Sequence, residues 1–558
     1  MFIKTFFTDH FKDHKLRLLL FTLLVITIHP INSVLLSRLF GKLFDIINKN
    51  KKLPNLTNFY ENIVKQNAPG IVLIICLVYV ILYFIYISKN YLETLIIPEY
   101  AHYMRTFLFN RIIESYSTRY KDLRIGEIIT IISEVKYAVV SLFQVIFDYF
   151  IATVSGIIFI IFYFSFINWK IGLIYVVSIL LIGVGYYFTG QTFLRTSIQK
   201  MKTYYNLNET VNDKLSNLMN IYLNNEDKYE MNDYKKKEDI LKSIYMSNIW
   251  NEKTGLTISD AIIGISTIII VITAYYLLKS NQLSTTNFIS IIITISSSSY
   301  YLYNLNKEIA DTIYYCGVIY SNKAFLDEIV RERTEGDSSM QLNKGKIEFH
   351  NVHFKYDDKS KTILKNLNYT IEPKSKIAIM GQSGSGKSTL MKLLIRLYAP
   401  TNGTIKIDGH DIQNIDPSYL RKKIIYVNQR TSLFNETVLK NIQYGTDTSE
   451  EKIKQILDDY DLEVVFSKLP FGLSSACGVN GNNLSLGMQK VIITLRGIFK
   501  PGLIYVFDEP LTSLDLKTKK KIIKLITNEL KGKTIIVITH DKEIIPYMNK
   551  TININQFK

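Results

Sequence analysis

The chain is poor in cysteine, and the three it has, Cys76, Cys316 and Cys477, are scattered without metal-ligand spacing or a pairing pattern. No disulfide framework and no cysteine metal site is read from them. No basic module interleaved with aromatics occurs, so the net charge of +17, with its lysines spread over both halves, does not point to nucleic acid. Anionic lipid at a membrane face is the simpler partner. The start of the chain also lacks the uninterrupted apolar core of a cleaved signal. Phe2, Ile3, Phe6, Phe7 and Phe11 recur there at helical spacing against Lys4, Asp9, Lys12 and Asp13, which predicts an interfacial helix. Against these scarcities, the apolar content is high: hydrophobic residues make up 47%, and mean hydropathy is +0.10 despite 66 Lys plus Arg.

The apolar residues are gathered into about six stretches of the length a bilayer demands, near 16–40, 70–90, 139–166, 170–190, 257–279 and 286–304. Runs such as Ile157-Ile158-Phe159-Ile160-Ile161-Phe162-Tyr163-Phe164 and Ile268-Ile269-Ile270-Val271-Ile272 argue against a buried soluble core. Short turns at Asn168-Trp169-Lys170 and Lys279-Ser280-Asn281-Gln282 alternate with long polar stretches near 91–138 and 191–255, predicted to be helices continuing beyond the membrane. Asp148 and Asp260 are the acids nearest the spans. Counting back from each outer turn sets both close to the inner interface, which favours solvated or helix-pairing roles. Asn55-Leu56-Thr57 matches a glycosylation tripeptide that means nothing without a secretory host. The polar run Arg331 to Ser339 reads as a linker.

Beyond the linker stands one complete phosphate-binding loop, Gly381-Gln382-Ser383-Gly384-Ser385-Gly386-Lys387-Ser388-Thr389. It follows the strand-like Ile377-Ala378-Ile379-Met380 and precedes a helix-like run from Leu390. Its glycines let the backbone bend around phosphate oxygens, so that amide groups and a helix N-terminus face the anion. Lys387 sets a cation on the outer phosphates, and the Ser388 hydroxyl can join a Mg²⁺ shell. Such a loop serves kinases, GTPases and motor ATPases alike, so the residues after it must decide.

They do so at strand ends. Leu503-Ile504-Tyr505-Val506-Phe507 runs into Asp508-Glu509, a pair in which the first carboxylate suits Mg²⁺ and the second can polarise an attacking water. His540 closes Ile535-Ile536-Val537-Ile538-Thr539, and Gln429 lies just after Ile424-Ile425-Tyr426-Val427. Ligands of parallel sheets gather at such ends. Tyr356 offers an aromatic face for a base, though one tyrosine among 38 says little alone.

In this order, residues 345 to 541 resemble the nucleotide-binding domain of the ATP-binding cassette (ABC) transporter family. Asn428-Gln429-Arg430 and the following residues to Thr437 resemble the family's Q-loop region in exporters, and Leu469-Pro470-Phe471-Gly472-Leu473 the approach to its signature. The resemblance implies ATP and Mg²⁺ as cofactors. It also implies that Tyr356 stacks on adenine and that Gly381, Ser383, Gly384, Ser385, Gly386, Lys387, Ser388 and Thr389 hold phosphate. Ser388, Gln429 and Asp508 surround the metal, with Gln429 sensing the γ-phosphate. Glu509 is the catalytic base, His540 the switch, and Asp515 in Thr512-Ser513-Leu514-Asp515 matches the D-loop. Tyr120 to Glu127 and Asn208 to Glu226 resemble, more loosely, the regions of two coupling helices.

Two departures stand out. Leu484-Ser485-Leu486-Gly487-Met488 occupies the place of a signature that usually has two glycines and a glutamine; Ser485 and Gly487 are kept for the γ-phosphate, while Leu486 and Met488 predict a slower site. Val479 takes the place of the glutamate expected between Gly478 and Gly481. Exporters usually carry a further strand and helices after the histidine, where this sequence is short.

The expected architecture is an α-helical transmembrane domain of about six long helices with cytosolic extensions (1–330), a linker (331–344) and an α/β P-loop NTPase domain of the ABC type (345–558). The expected function is ATP-driven export by a half-transporter in a multi-pass membrane protein whose nucleotide domain is cytosolic. Its partners are a second half-transporter, identical or related, membrane lipid and an unidentified substrate. The alternative is an ATP-regulated channel or regulatory subunit. A soluble DNA-repair ATPase fails on the apolar spans.

Overall fold

The computed structural model describes residues 14–49, 68–117, 125–330, 336–337, 339–356, 361–382, 384–429 and 431–554. The N-terminal amphipathic stretch, the Asn55-Leu56-Thr57 tripeptide, Tyr120 to Arg124 and Ser383 lie outside them. The chain divides into two compact units, Met1–Ile113 with Asp122–Arg331, and Glu114–Lys121 with Glu332–Lys558.

Among the described residues, the first unit is built on six long helices: α1 (Lys15–Lys49), α2 (Ala68–Ser115), α3 (residues 125–167), α4 (Trp169–Ser216), α5 (Asp227–Lys279) and α6 (Thr285–Ser321). By length and composition α1 to α5 can cross a membrane. Helix α6 is as well formed, but Ser296-Ser297-Ser298-Ser299 dilutes its apolar run. Five of its polar groups bond other helices, where hydrocarbon would leave them unsatisfied. Ser290 bonds Tyr163, and Ser298 bonds Tyr175. Thr294 Oγ1 donates to Ser33 O at 3.1 Å, Ser299 Oγ lies 2.9 Å from Thr267 Oγ1, and Asn306 Nδ2 donates to Asp260 Oδ1 at 2.9 Å. Asp148 likewise pairs with another helix, through Lys89 Nζ at 2.7 Å.

Helix α1 contains Pro30, which has no N–H to offer the carbonyl of Ile26 one turn back. Ser155 of α3 stands where that donor is missing. Its Oγ is 3.0 Å from Ile26 O and 2.7 Å from Ala152 O, so one hydroxyl hydrogen serves both acceptors. The helix widens into a π turn over Ile31–Leu35 immediately after the proline.

Helices α2 and α4 have 48 residues and α5 has 53. At ~1.5 Å per residue they run roughly 70–80 Å, more than twice the hydrocarbon thickness, so their polar ends must leave the bilayer. Asn168, with its side chain accepting from Lys170 N at 3.0 Å, makes the short turn into α4. At the other end, the short helix Leu218–Asn224 turns the chain between α4 and α5, within the stretch that resembles the second coupling-helix region, and Asn225 ends it at φ 56°. The buried Asn248 of α5 donates to Ser197 Oγ of α4 at 2.9 Å, pinning the pair beyond the spans.

The second unit holds nine strands among the described residues. β1 (Ile347–Phe354), β2 (Leu364–Ile371), β4 (Asn402–Ile407) and β5 (His410–Asp411) form an antiparallel sheet in the order β2-β1-β4-β5. A parallel sheet has the order β6-β7-β8-β3-β9, from β3 (Lys376–Met380), β6 (Ile424–Val427), β7 (Ile504–Asp508), β8 (Thr534–Ile538) and β9 (Lys550–Asn553). Successive β7 residues face opposite sides: Ile504 and Val506 pack towards the antiparallel sheet and the helix α7 (Lys387–Leu394). Tyr505 and Phe507 pack against the helices α8 (Leu486–Ile498) and α9 (Leu516–Glu529). Strands buried on both faces explain why these runs read as continuously apolar.

Within the second unit, Leu342 is buried in the core and Asp337 N donates to Asn414 O at 2.8 Å. A strand does follow His540: β9 pairs parallel with β3 at the sheet edge.

Candidate functional site

Strand order assembles the site. Because β6, β7, β8 and β3 are neighbours and parallel, the segments after each of them emerge at one edge: Gln429, Asp508-Glu509, His540 and the phosphate loop. This is the end of a parallel sheet at which ligands bind.

The loop is curled by Gly384 at φ 74° and Gly386 at φ 91°, values a side chain resists. A Cβ on Gly386 would also stand 2.8 Å from Ile363 Cγ2, whereas one on Gly384 would meet open space. Lys387 Nζ turns back over the curl, donating to Gly381 O at 2.8 Å and Gln382 O at 3.0 Å. The buried Ser385 Oγ has no hydrogen-bond partner among the described residues. A cation and an unused hydroxyl within an open curl that starts a helix fit an anionic phosphate chain. Thr389 Oγ1 lies 3.0 Å from the Tyr356 hydroxyl, and the tyrosine ring leans edge-on to Phe354 and Tyr398 at 5.0 and 5.2 Å. Tyr356 is therefore held beside the loop with 44% of its surface exposed, enough to receive a base.

Ser388 Oγ donates to Asp508 Oδ2 at 2.8 Å. Hard oxygen donors of this kind suit Mg²⁺. Among the described residues no group of three His, Cys, Asp or Glu forms a ready cation cage, so phosphate oxygens and water would have to complete the shell. Tyr426, which sequence reasoning passed over as part of an apolar strand, donates its hydroxyl to the same Oδ2 at 3.0 Å. Burial raises the Tyr426 pKa, and the charge of Asp508 raises it further, so the phenol keeps its proton and stays a donor.

Glu509 sits at φ 53°, a left-handed conformation that costs a glutamate of order 1–3 kcal/mol. Its amide is satisfied by Ile538 O at 2.8 Å. Thr512 and Thr539 hydroxyls each lie 3.4 Å from Oε2, and His540 Nε2 is 3.7 Å from Oε1 and 3.4 Å from Lys387 Nζ. The two threonines were also missed, since nothing in their spacing marks them.

Ser485 and Asp515 serve their own turns. Ser485 caps α8, its Oγ accepting from Met488 N at 3.3 Å. Asp515 caps α9, accepting from Lys517 N at 2.9 Å, from Thr518 N at 3.0 Å and from the Thr518 hydroxyl at 2.6 Å. Bonds from Thr518 above all hold the Asp515 carboxyl below its usual pKa. Gly487 makes a close approach, since a Cβ there would stand 3.2 Å from Ser513 O. Leu486 is 65% exposed, and Met488 packs against the helical core. Val479 opens a short 3₁₀ turn and is exposed.

Residues 18–299 match the family model of the ABC transporter transmembrane region, and residues 364–512 that of the ABC transporter. The chain is 27% identical over 471 residues to an ATP-dependent lipid A-core flippase of Legionella pneumophila (strain Paris), covering 83% of this chain and 79% of that protein. It is 39% identical over 218 residues to the lipid A-core flippase of Coxiella burnetii, a match that spans 38% of this chain and 37% of that protein. The fold is that of a bacterial Atm1-family ABC exporter solved with ATP bound, with a TM-score of 0.79 at 20% identity over 98% of this chain and 94% of that one. With one membrane region ahead of one cassette, the chain belongs to the ABC transporter family, as an exporter-type half-transporter, integral to a membrane, whose cytosolic cassette hydrolyses ATP to drive transport.

Proposed function

We propose that two copies, identical or related, close on ATP so that each phosphate loop faces the partner's Leu484 to Met488 segment. The observation that carries this reading is a division within one cassette. The phosphate loop, Asp508-Glu509 and His540 share one edge, while Ser485 and Leu486 stand exposed at the start of another helix.

In that arrangement Lys387 and the curl of Gly381 to Thr389 bind the outer phosphates, and Tyr356 takes the base. Ser388, Asp508 and Gln429 would hold Mg²⁺, which when bound neutralises charge on the phosphate oxygens. Glu509 accepts a proton from the attacking water as its oxygen approaches the γ-phosphorus, and ADP leaves in line. His540, beside both Glu509 and Lys387, is placed to hold the γ-phosphate. Closing on ATP and reopening after hydrolysis switches the helices between inward and outward access. The cargo we assign is an amphipathic lipid. Support comes from the relatives named lipid A-core flippases.

The test is Glu509→Gln in liposomes. It should bind ATP, accumulate a closed dimer and hydrolyse about 100-fold or more slowly than the parent. Retained turnover would remove Glu509 from the base role. Lipid amphiphiles should stimulate the parent's ATPase; if no lipid, peptide or drug did so, a regulated membrane protein without cargo would be the better reading.

A further inference from the structure

Lys490 lies one turn into α8, just beyond the signature, and has no part in the roles described so far. Its Nζ donates to the backbone carbonyl of Gln429 at 2.9 Å. The ammonium also lies in the field of Asp508 and Glu509, which partly offsets the burial that lowers its pKa. The rest of α8 is firmly seated. Arg496 Nε and Nη2 both bond Asn441, each at 2.7 Å. Gly497 abuts β6 so closely that a Cβ there would stand 2.3 Å from Val427 Cγ2. At the opposite end, Gln489 Nε2 fastens the incoming loop through Gly481 O at 2.9 Å and Leu484 O at 3.2 Å.

Helix α8 is thus seated at both ends, against β6 through Gly497 and against the incoming loop through Gln489. The N-terminal end carries Ser485, and the turn after β6 carries Gln429. Lys490 bonds the helix to that turn, through a charge-assisted hydrogen bond to the main chain that bears the glutamine. A displacement of the Gln429 carbonyl moves its side chain with it.

We propose that Lys490 is a positioning residue that ties the signature helix to the γ-phosphate-sensing turn of its own chain, so that contact of Ser485 with the partner's nucleotide is transmitted to Gln429. The proposal rests on the two-site reading above. Its consequence is that the two ATP sites are energetically coupled, and that the coupling runs through a side chain which touches neither nucleotide.

The test uses the full-length protein in lipid nanodiscs. Lys490→Met keeps the apolar stem and removes the donor; Lys490→Arg keeps a donor. For Lys490→Met we expect kcat to fall about 5–20-fold while KM for ATP stays within about twofold, and the Hill coefficient for ATP to drop to 1. Lys490→Arg should restore most of both. A wild-type kcat and Hill coefficient in Lys490→Met would overturn the proposal, and so would kcat and ATP affinity falling together without rescue by arginine. Should Lys490→Met fold poorly by thermal unfolding, Lys490→Gln, too short to reach the carbonyl, takes its place. An independent measurement is the distance between spin labels on the two cassettes in the Glu509→Gln background. Adding Lys490→Met should lower the closed fraction at saturating ATP about 5–20-fold, and an unchanged fraction would overturn the coupling. If Glu509→Gln alone fails to close, the two-site reading fails; if it closes and the lysine variants behave as the parent, only the role of Lys490 fails.

Discussion

The Ser388 hydroxyl donates to Oδ2 of Asp508 across 2.8 Å, joining the first turn of α7 to the end of β7. Tyr426 donates to the same oxygen, so two hydroxyls hold the Asp508 carboxylate in place. Asp508→Asn should lower MgATP turnover about 100-fold or more, with ATP binding in chelator changed by about twofold at most. Equal loss of binding without the metal would show that Asp508 serves the shape of the loop rather than the cation.

The two unusual signature residues are predicted to behave differently, because one is solvent-facing and the other is packed. Leu486→Gly should raise hydrolysis by removing exposed bulk where the partner's nucleotide would approach. Met488→Gln sets an amide against the helical core and should cost about 1–3 kcal/mol of stability without a matching gain in rate. Steady-state ATPase and thermal unfolding separate the two effects. A rate increase carried by Met488→Gln alone would reverse this assignment.

Asp408, at φ 51° after β4, accepts from the amides of Asn343, Lys344, Gly345 and Lys346 at 2.9, 2.8, 3.2 and 2.8 Å. Burial pushes its pKa up, but the four donors outweigh it, and the net value falls below the ordinary 3.8. A depressed folded pKa stabilises the fold fully above the unfolded value, and that contribution is lost as pH falls from 3.8 through the folded pKa. Asp408→Asn should therefore be less stable than the parent at neutral pH, and the gap should close below about pH 4. A gap that held constant to pH 2 in acid unfolding would rule this out.

Ser155→Ala would leave Ile26 O, already deprived of a donor by Pro30, without its only side-chain partner among the described residues. We expect about 0.5–2 kcal/mol of destabilisation in detergent. An unchanged unfolding midpoint would mean that the hydroxyl serves Ala152 alone.

Much of the site was legible before folding because its parts are local. A phosphate loop needs consecutive glycines and a lysine, and Asp508-Glu509 and His540 announce themselves as polar residues closing apolar runs. Tyr426, Thr539 and Lys490 were not legible, since each acts on an atom supplied by a distant segment. The helical half was readable by length, which the bilayer dictates. Helix α6 was the weakest of its spans, because the serines that lower its hydropathy satisfy partners on other helices.

The sequence by itself determined that a nucleotide loop stands behind apolar spans, since both depend on runs of neighbouring residues. Only tertiary structure decided that Lys490 meets Gln429, that Ser155 answers Pro30, that Met488 is packed while Leu486 is not, and that a strand follows His540. Each of those depends on which parallel strands become neighbours and which helix faces meet, and hydrogen-bond geometry between distant segments leaves no period in the chain.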